Sequence, residues 1–119
     1  MPKPHEPVTI YHNPRCSKSR AALALLRENG IEPEVIEYLK TPPSAAKLRE
    51  LVAMLGIKPD ELVRTGEDLF KEKFKGRTLT DAQWIEALAE NPILIERPIV
   101  VRADRAVLGR PPEKALELF

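Results

Sequence analysis

The apolar positions of this 119-residue chain come in short runs whose period changes along the sequence. Val8, Ile10 and Tyr11 form a compact β-branched and aromatic run, which predicts a strand over 8–11. Asn13-Pro14 punctuates a turn, and from Cys16 to about Asn29 the residues Ala22, Leu25 and Leu26 recur at helical spacing. Gly30 stands where a helix C-terminus calls for a left-handed residue. Val35, Ile36 and Tyr38 predict a second strand over 33–38. A strand–helix–strand unit with so long a crossover favours parallel pairing and a right-handed connection.

Helical spacing then takes over. Thr41-Pro42-Pro43-Ser44 reads as a loop ending in an N-cap, followed by a helix with Leu48, Leu51, Val52 and Leu55 on one face and Gly56 as its stop. Lys58-Pro59-Asp60-Glu61 opens a short helix containing Leu62, Val63 and Arg64, and 67–75 reads as another, with Leu69, Phe70 and Phe74 apolar. Thr80 to Gln83 is a capping-box sequence ahead of Trp84, Ile85 and Leu88. Residues 41–91 thus form a run of short helices, most of it expected to be a structural cap over the sheet. Ile93-Leu94-Ile95 and Pro98 to Val101 read as extended, and a turn at Asp104-Arg105 makes a hairpin of 98–102 and 106–109. Pro111-Pro112-Glu113 starts a last helix, with Ala115, Leu116 and Phe119 available for packing. The order β-α-β, helices, β-β-α predicts an α/β protein with a mixed sheet flanked by helices.

Composition narrows the function. The net charge of +1 gives no global case for nucleic acid or a membrane as partner, so positive charge must act locally. One cysteine excludes an internal disulfide and a cysteine-only metal site, and with two histidines a zinc site is not expected. A single thiol fits a reducing cytoplasm. No window approaches the roughly 20 apolar residues of a membrane span. Residues 1–7 are expected to be a flexible tail without the apolar core of a signal peptide, and His5 in it to be idle.

The chemistry concentrates around Cys16. A lone cysteine is ordinarily a small buried hydrophobe. This one stands at the mouth of a predicted helix among Arg15, Ser17, Lys18 and Arg20. Backbone N–H groups, the positive end of the helix dipole and three cations all favour a thiolate, which places its pKa below the ordinary value of ~8.5. A helix N-terminus is also a seat for an oxyanion. His12, ordinarily a structural residue at a strand end, gains weight by lying four residues before Cys16. Ser17 and Ser19 are expected to contribute to the N-cap, and a hydroxyl there can also donate to a thiolate.

Several separate motifs together resemble the ArsC/Spx family, specifically its glutaredoxin-coupled arsenate reductases. They are Tyr11-His12-Asn13-Pro14 with Cys16, Ser19 and Arg20; Arg64 in the central helices; Ile95-Glu96-Arg97-Pro98-Ile99-Val100-Val101; and Gly109-Arg110-Pro111-Pro112-Glu113. The likeness runs essentially from Val8 to Phe119, as a single domain. It implies a thioredoxin-like fold: a mixed four-stranded sheet flanked by helices, with a helical insertion at about 41–91 between the second and third strands. It also implies roles. Cys16 is the nucleophile; His12, Ser19 and Arg20 assist its thiolate; Arg64, Arg97 and Arg110 bind the oxyanion and its covalent product; and Pro98 follows a cis bond beside the cysteine. Fixed guanidinium groups make sense where a thiolate must approach a charged tetrahedral anion. The best-known members carry small residues around the cysteine where this chain has Arg15, Ser17 and Lys18; Arg15 is thus an added substrate-side cation.

With one thiol in the chain, two-electron reduction of arsenate needs thiols from outside. The implied sequence is attack of Cys16 on arsenic with loss of water, addition of glutathione as co-substrate, and resolution by a glutaredoxin with release of arsenite. No bound cofactor is implied, and the expected state is a cytoplasmic monomer. Ala22 stands where a phosphatase-like loop needs arginine six residues after its cysteine, which excludes the thioredoxin-coupled class; Ser19 stands where a Cys-x-x-Cys glutaredoxin has its second cysteine. Two alternatives stay open: a glutathione-dependent thiol oxidoreductase with another substrate, and an Spx-like regulator that binds RNA polymerase.

Overall fold

The computed structural model describes residues 6–119, so His5 and most of the expected tail lie outside the described residues. The chain divides into two compact units, one made of the chain up to Thr41 with Arg97–Phe119, the other of Pro42–Glu96.

The first unit is built on a four-stranded sheet. β1 (Val8–His12) leads into α1 (Ser17–Glu28) and β2 (Glu34–Glu37); β3 (Ile99–Arg102) and β4 (Arg105–Leu108) come from the C-terminal part. The strand order is β2-β1-β3-β4. β1 and β2 run parallel, as a helical crossover requires, while β1–β3 and β3–β4 are antiparallel. One sheet face packs its Ile10 and Val100 with Ala22 and Leu26 of α1 and with Ala115 and Leu118 from the chain end. Leu25, expected in the buried stripe, is only partly buried; the inward positions of α1 are Ser19, Ala22 and Leu26, three and four residues apart. Asn29 caps the helix and Gly30, at φ +77°, supplies the left-handed residue that ends it.

Two expectations at the C-terminal end are corrected. The hairpin turn is Ala103-Asp104, one residue earlier than predicted, with Ala103 at φ 54°, so that Arg105 already pairs with Arg102. The last helix, Pro112–Leu118, is 3₁₀. Its three-residue period brings Ala115 and Leu118 to the same face, so Leu118 takes the buried place expected of Phe119. Phe119 is exposed, with the Arg102 guanidinium 4.5 Å above its ring.

The second unit holds the helices. α2 (Ala45–Leu55) begins at Ser44, whose hydroxyl accepts from the Lys47 N–H, and ends at Gly56 with φ +69°. A 3₁₀ turn (Pro59–Leu62) and α3 (Asp68–Lys73) follow. α4 (Asp81–Glu90) carries both bonds of the capping box: Gln83 N–H to Thr80 Oγ1, and Thr80 N–H to Gln83 Oε1. Leu48, Leu51, Leu62, Ile85, Leu88 and Leu94 are buried, and Phe70 stacks on both Phe74 and Trp84, which meet each other tilted. Ile93-Leu94 is not extended as expected. Pro92 starts a 3₁₀ turn over Pro92–Leu94, and only Ile95 continues as a β-bridge, opposite Val63. Two bonds of 2.7 Å, Arg64 N–H to Leu94 O and Glu96 N–H to Leu62 O, clamp that bridge. No helix among the described residues is long and apolar enough to cross a membrane.

Candidate active site

The sheet register gathers the predicted residues of the first unit at one end. β1 ends at His12, and the chain turns through Asn13-Pro14-Arg15 into Cys16. Ile99 opposes Tyr11 on β1 and Leu108 on β4. Arg97-Pro98 therefore enters β3, and Gly109-Arg110 leaves β4, at the end where β1 delivers the cysteine turn. The Gly109 N–H donates to Pro98 O at 2.9 Å. A Cβ at Gly109 would come within 3.0 Å of Pro98 Cγ and 3.4 Å of Ala22 Cβ, so the absence of a side chain lets these segments close on α1. The Arg97–Pro98 and Arg110–Pro111 bonds are both cis. Arg97 is buried at 5% exposure, and Arg110 Nη1 donates to its carbonyl at 3.2 Å.

Cys16 itself is the N-cap of α1, in an extended conformation, and is half-buried. Its N–H donates to Asn13 O and its carbonyl accepts from the Arg20 N–H, both at 3.0 Å. The thiol side chain thus starts from the first turn of a 12-residue helix, where unsatisfied N–H groups and the dipole present positive potential. The expectation that Ser17 and Ser19 cap the helix is corrected. Both lie inside it, Ser17 exposed and Ser19 fully buried. Ser19, in the first turn of α1, meets polar groups where β1 ends.

Ser19 is the hub of those groups. Its Oγ accepts from the Asn13 N–H at 3.0 Å and lies 2.7 Å from His12 Nδ1. His12 and Asn13 are buried as well. Asn13 Oδ1 accepts from the Arg15 N–H at 3.0 Å, and Arg20 Nη1 donates to Pro14 O at 2.9 Å. Four side chains therefore hold the turn that delivers Cys16. Sequence reading placed Asn13 in the turn and in the family motif, but expected no role for its side chain. The signal was present: asparagine before proline commonly bonds the backbone two residues on, as it does here to Arg15.

His12 is held below its ordinary pKa of 6.5. Burial away from water is the main cause; Glu37 opposes it, and Arg27 and Arg20 add to it. Glu37 is the β2 register partner of His12, so their side chains share one sheet face. The neutral ring matters for Ser19. When Nδ1 accepts, the hydroxyl proton is spent on His12; when Nδ1–H donates, Ser19 Oγ accepts twice and its proton can go elsewhere. Arg15 is exposed and, with His12, Asn13, Pro14, Glu37, Leu39 and Lys40, lines a cleft of about 270 Å³ on this turn.

Arg64 belongs to the helical unit. It follows the Val63–Ile95 bridge, and its Nε lies 3.4 Å from Glu67 Oε1. Its Nη1 is buried and has no hydrogen-bond partner among the described residues. Groups of three or more metal-ligating side chains do not occur among the described residues.

Comparison with known proteins adds identity to this geometry. A sequence profile of the ArsC family matches residues 11–118. The uncharacterized protein YfgD of Escherichia coli (strain K12) is 54% identical, over 93% of this chain and 95% of its own length. The arsenate reductase of Neisseria meningitidis serogroup A is 44% identical, over 89% of this chain and 92% of its own. Among solved structures, the arsenate reductase from Vibrio cholerae aligns with a TM-score of 0.92 at 49% identity, covering 96% of this chain and 98% of that one.

Proposed function

The chain belongs to the ArsC family, with its thioredoxin-like mixed sheet, and from that premise we propose that it is an arsenate reductase that draws its electrons from glutathione and a glutaredoxin. The observation that supports this most is the position of Cys16 as N-cap of α1, at the sheet end where Arg97 and Arg110 also emerge. The helix terminus favours the thiolate, and guanidinium groups offset the repulsion when that thiolate meets an arsenate anion.

In this reading the Cys16 sulfur bonds to arsenic and an arsenate oxygen leaves as water. Glutathione adds its thiol to the same arsenic with loss of a second water. A glutaredoxin thiolate then attacks the glutathione sulfur. The electron pair of the arsenic–sulfur bond stays on arsenic, which passes from As(V) to As(III), and the two external thiols leave joined as a disulfide. Hydrolysis of the Cys16–arsenic bond releases arsenite and restores the thiol. Arg97 and Arg110 hold oxygens of the anion. Arg64 brings a donor, Nη1, that its own unit leaves without an acceptor among the described residues. Arg15 adds positive charge at the approach to the cysteine, and Arg20 and the His12–Ser19–Asn13 bonds keep Cys16 in position. Pro98 shapes the turn beside them. The reading takes 8–119 as one functional domain, with the helical run as an insertion, acting as a monomer in a reducing cytoplasm.

The test is arsenate-dependent NADPH oxidation with glutathione, glutaredoxin and glutathione reductase present. The rate is expected to vanish with Cys16→Ser and to fall at least tenfold, an order-of-magnitude figure, with Arg97→Ala. Absence of an arsenate-dependent rate from folded protein would sink the proposal and turn attention to another glutathione-linked substrate.

A further inference from the structure

Arg64 does not meet its surroundings as a solvated arginine would. Its backbone N–H is fixed to Leu94 O at 2.7 Å. Its side chain is 30% exposed, and Nη1 is buried with no hydrogen-bond partner among the described residues. The charge on its other edge is Glu67, whose Oε1 lies 3.4 Å from Nε and whose side chain is 25% exposed. The chain arranges this meeting itself: the Glu67 N–H donates to Arg64 O at 3.3 Å, closing the turn Arg64-Thr65-Gly66-Glu67. Glu67 is the N-cap residue of α3, yet its carboxylate makes no capping bond to that helix and is turned to Arg64 instead.

We propose that Glu67 is a displaceable counter-ion of Arg64, a positioning residue that weakens oxyanion binding until the anion competes it away. The inference rests on the reading of Arg64 as an oxyanion ligand. A half-buried guanidinium needs a compensating charge when no substrate is bound, and Glu67 supplies it. An arriving oxyanion then meets an ion pair rather than a bare cation. It gains the charge-assisted bonds of the guanidinium but gives up the attraction that Glu67 already satisfies, and it feels the carboxylate's repulsion. A tetrahedral anion carrying more charge offers more to Arg64 and displaces Glu67 more readily than a carboxylate metabolite of the cell. Glu67 thereby sets a threshold of charge for occupancy of this arginine.

The experiment is calorimetric titration of arsenate into Cys16→Ser protein, which cannot turn over, carrying in addition Glu67→Gln, Arg64→Ala, or both. Glu67→Gln keeps the shape and removes the charge, and is expected to tighten arsenate about three- to tenfold. Glu67→Asp, which keeps the charge, should stay nearer the parent. Arg64→Ala should weaken binding, and Glu67→Gln should then have no effect. A gain in affinity cannot come from a damaged fold, so it separates this role from a structural one. Unchanged or weaker binding by Glu67→Gln, with Arg64→Ala still weakening it, overturns the counter-ion alone. Equal tightening with and without Arg64 also overturns it, since the effect would then be one of net charge. Binding indifferent to Arg64→Ala overturns the reading of Arg64 and the proposal with it.

Discussion

The two units of this protein bury different kinds of side chain. Tyrosine and tryptophan apart, the buried polar and charged side chains among the described residues are His12, Asn13, Ser19, Arg97 and Arg102, and all of them belong to the sheet unit. The helical unit fills its interior with Leu48, Leu51, Leu62, Ile85, Leu88 and Leu94, and keeps hydroxyls such as those of Ser44 and Thr80 for exposed helix caps. A buried polar network stabilises only when every member finds its partner, and an apolar core carries no such condition. The sheet unit has accepted that condition where the proposed chemistry lies. In the helical unit a buried side-chain donor, Arg64 Nη1, has no hydrogen-bond partner among the described residues.

Four substitutions or conditions test this contrast, taken from the largest effect down. Leu88→Ala empties the centre of the helical core and should cost about 2–5 kcal/mol in chemical denaturation, while the arsenate-dependent rate per folded molecule holds. Ser19→Ala removes a single oxygen but strands the Asn13 N–H and His12 Nδ1 in a buried site. It should cost about 1–3 kcal/mol and, unlike Leu88→Ala, lower the rate of the folded protein. Thr80→Ala deletes a hydroxyl of similar size from the helical unit, at an exposed cap. About 1 kcal/mol of stability and no rate is expected to go, and a loss of rate equal to that of Ser19→Ala would break the contrast.

The smallest effect is one of pH. His12 titrates below 6.5 in the folded protein, so the unfolded chain takes up its proton first as the medium is acidified. Its contribution is fully present above pH 6.5 and is lost as pH falls from there through the folded value. His12→Gln should flatten that part of the stability–pH curve, measured by urea unfolding at a series of pH values. An unaltered slope would show that the ring does not titrate as its burial requires.

Local signals in the sequence were enough for the frame. β-Branched runs marked β1 and β3, and Ser44, Gly56 and the Thr80–Gln83 box marked helix ends whose bonds are local by nature. Reading failed where tertiary bonds overrode propensity. Ile93-Leu94 has strand composition but follows Pro92 and is drawn into a 3₁₀ turn, leaving only Ile95 to bridge Val63. Ser19 looked like a capping residue because serine is one by habit; its place against β1 made it a buried hub instead. Cys16 stood out as a candidate nucleophile from its neighbours alone, but Glu37 and Glu67 drew no notice. Their meaning depends on a register partner in one case and on the direction of a turn in the other.

The start of α1 has a consequence for how this molecule trades durability against use. The N-cap position there is held by Cys16, whose sulfur makes no capping bond to the helix. Serine, one atom different, is among the best residues for that position. The chain thus forgoes about 0.5–1 kcal/mol that the commonest of helix caps would add, and does so at its most informative residue. Cys16→Ser should therefore melt at a higher temperature than the parent while losing its chemistry.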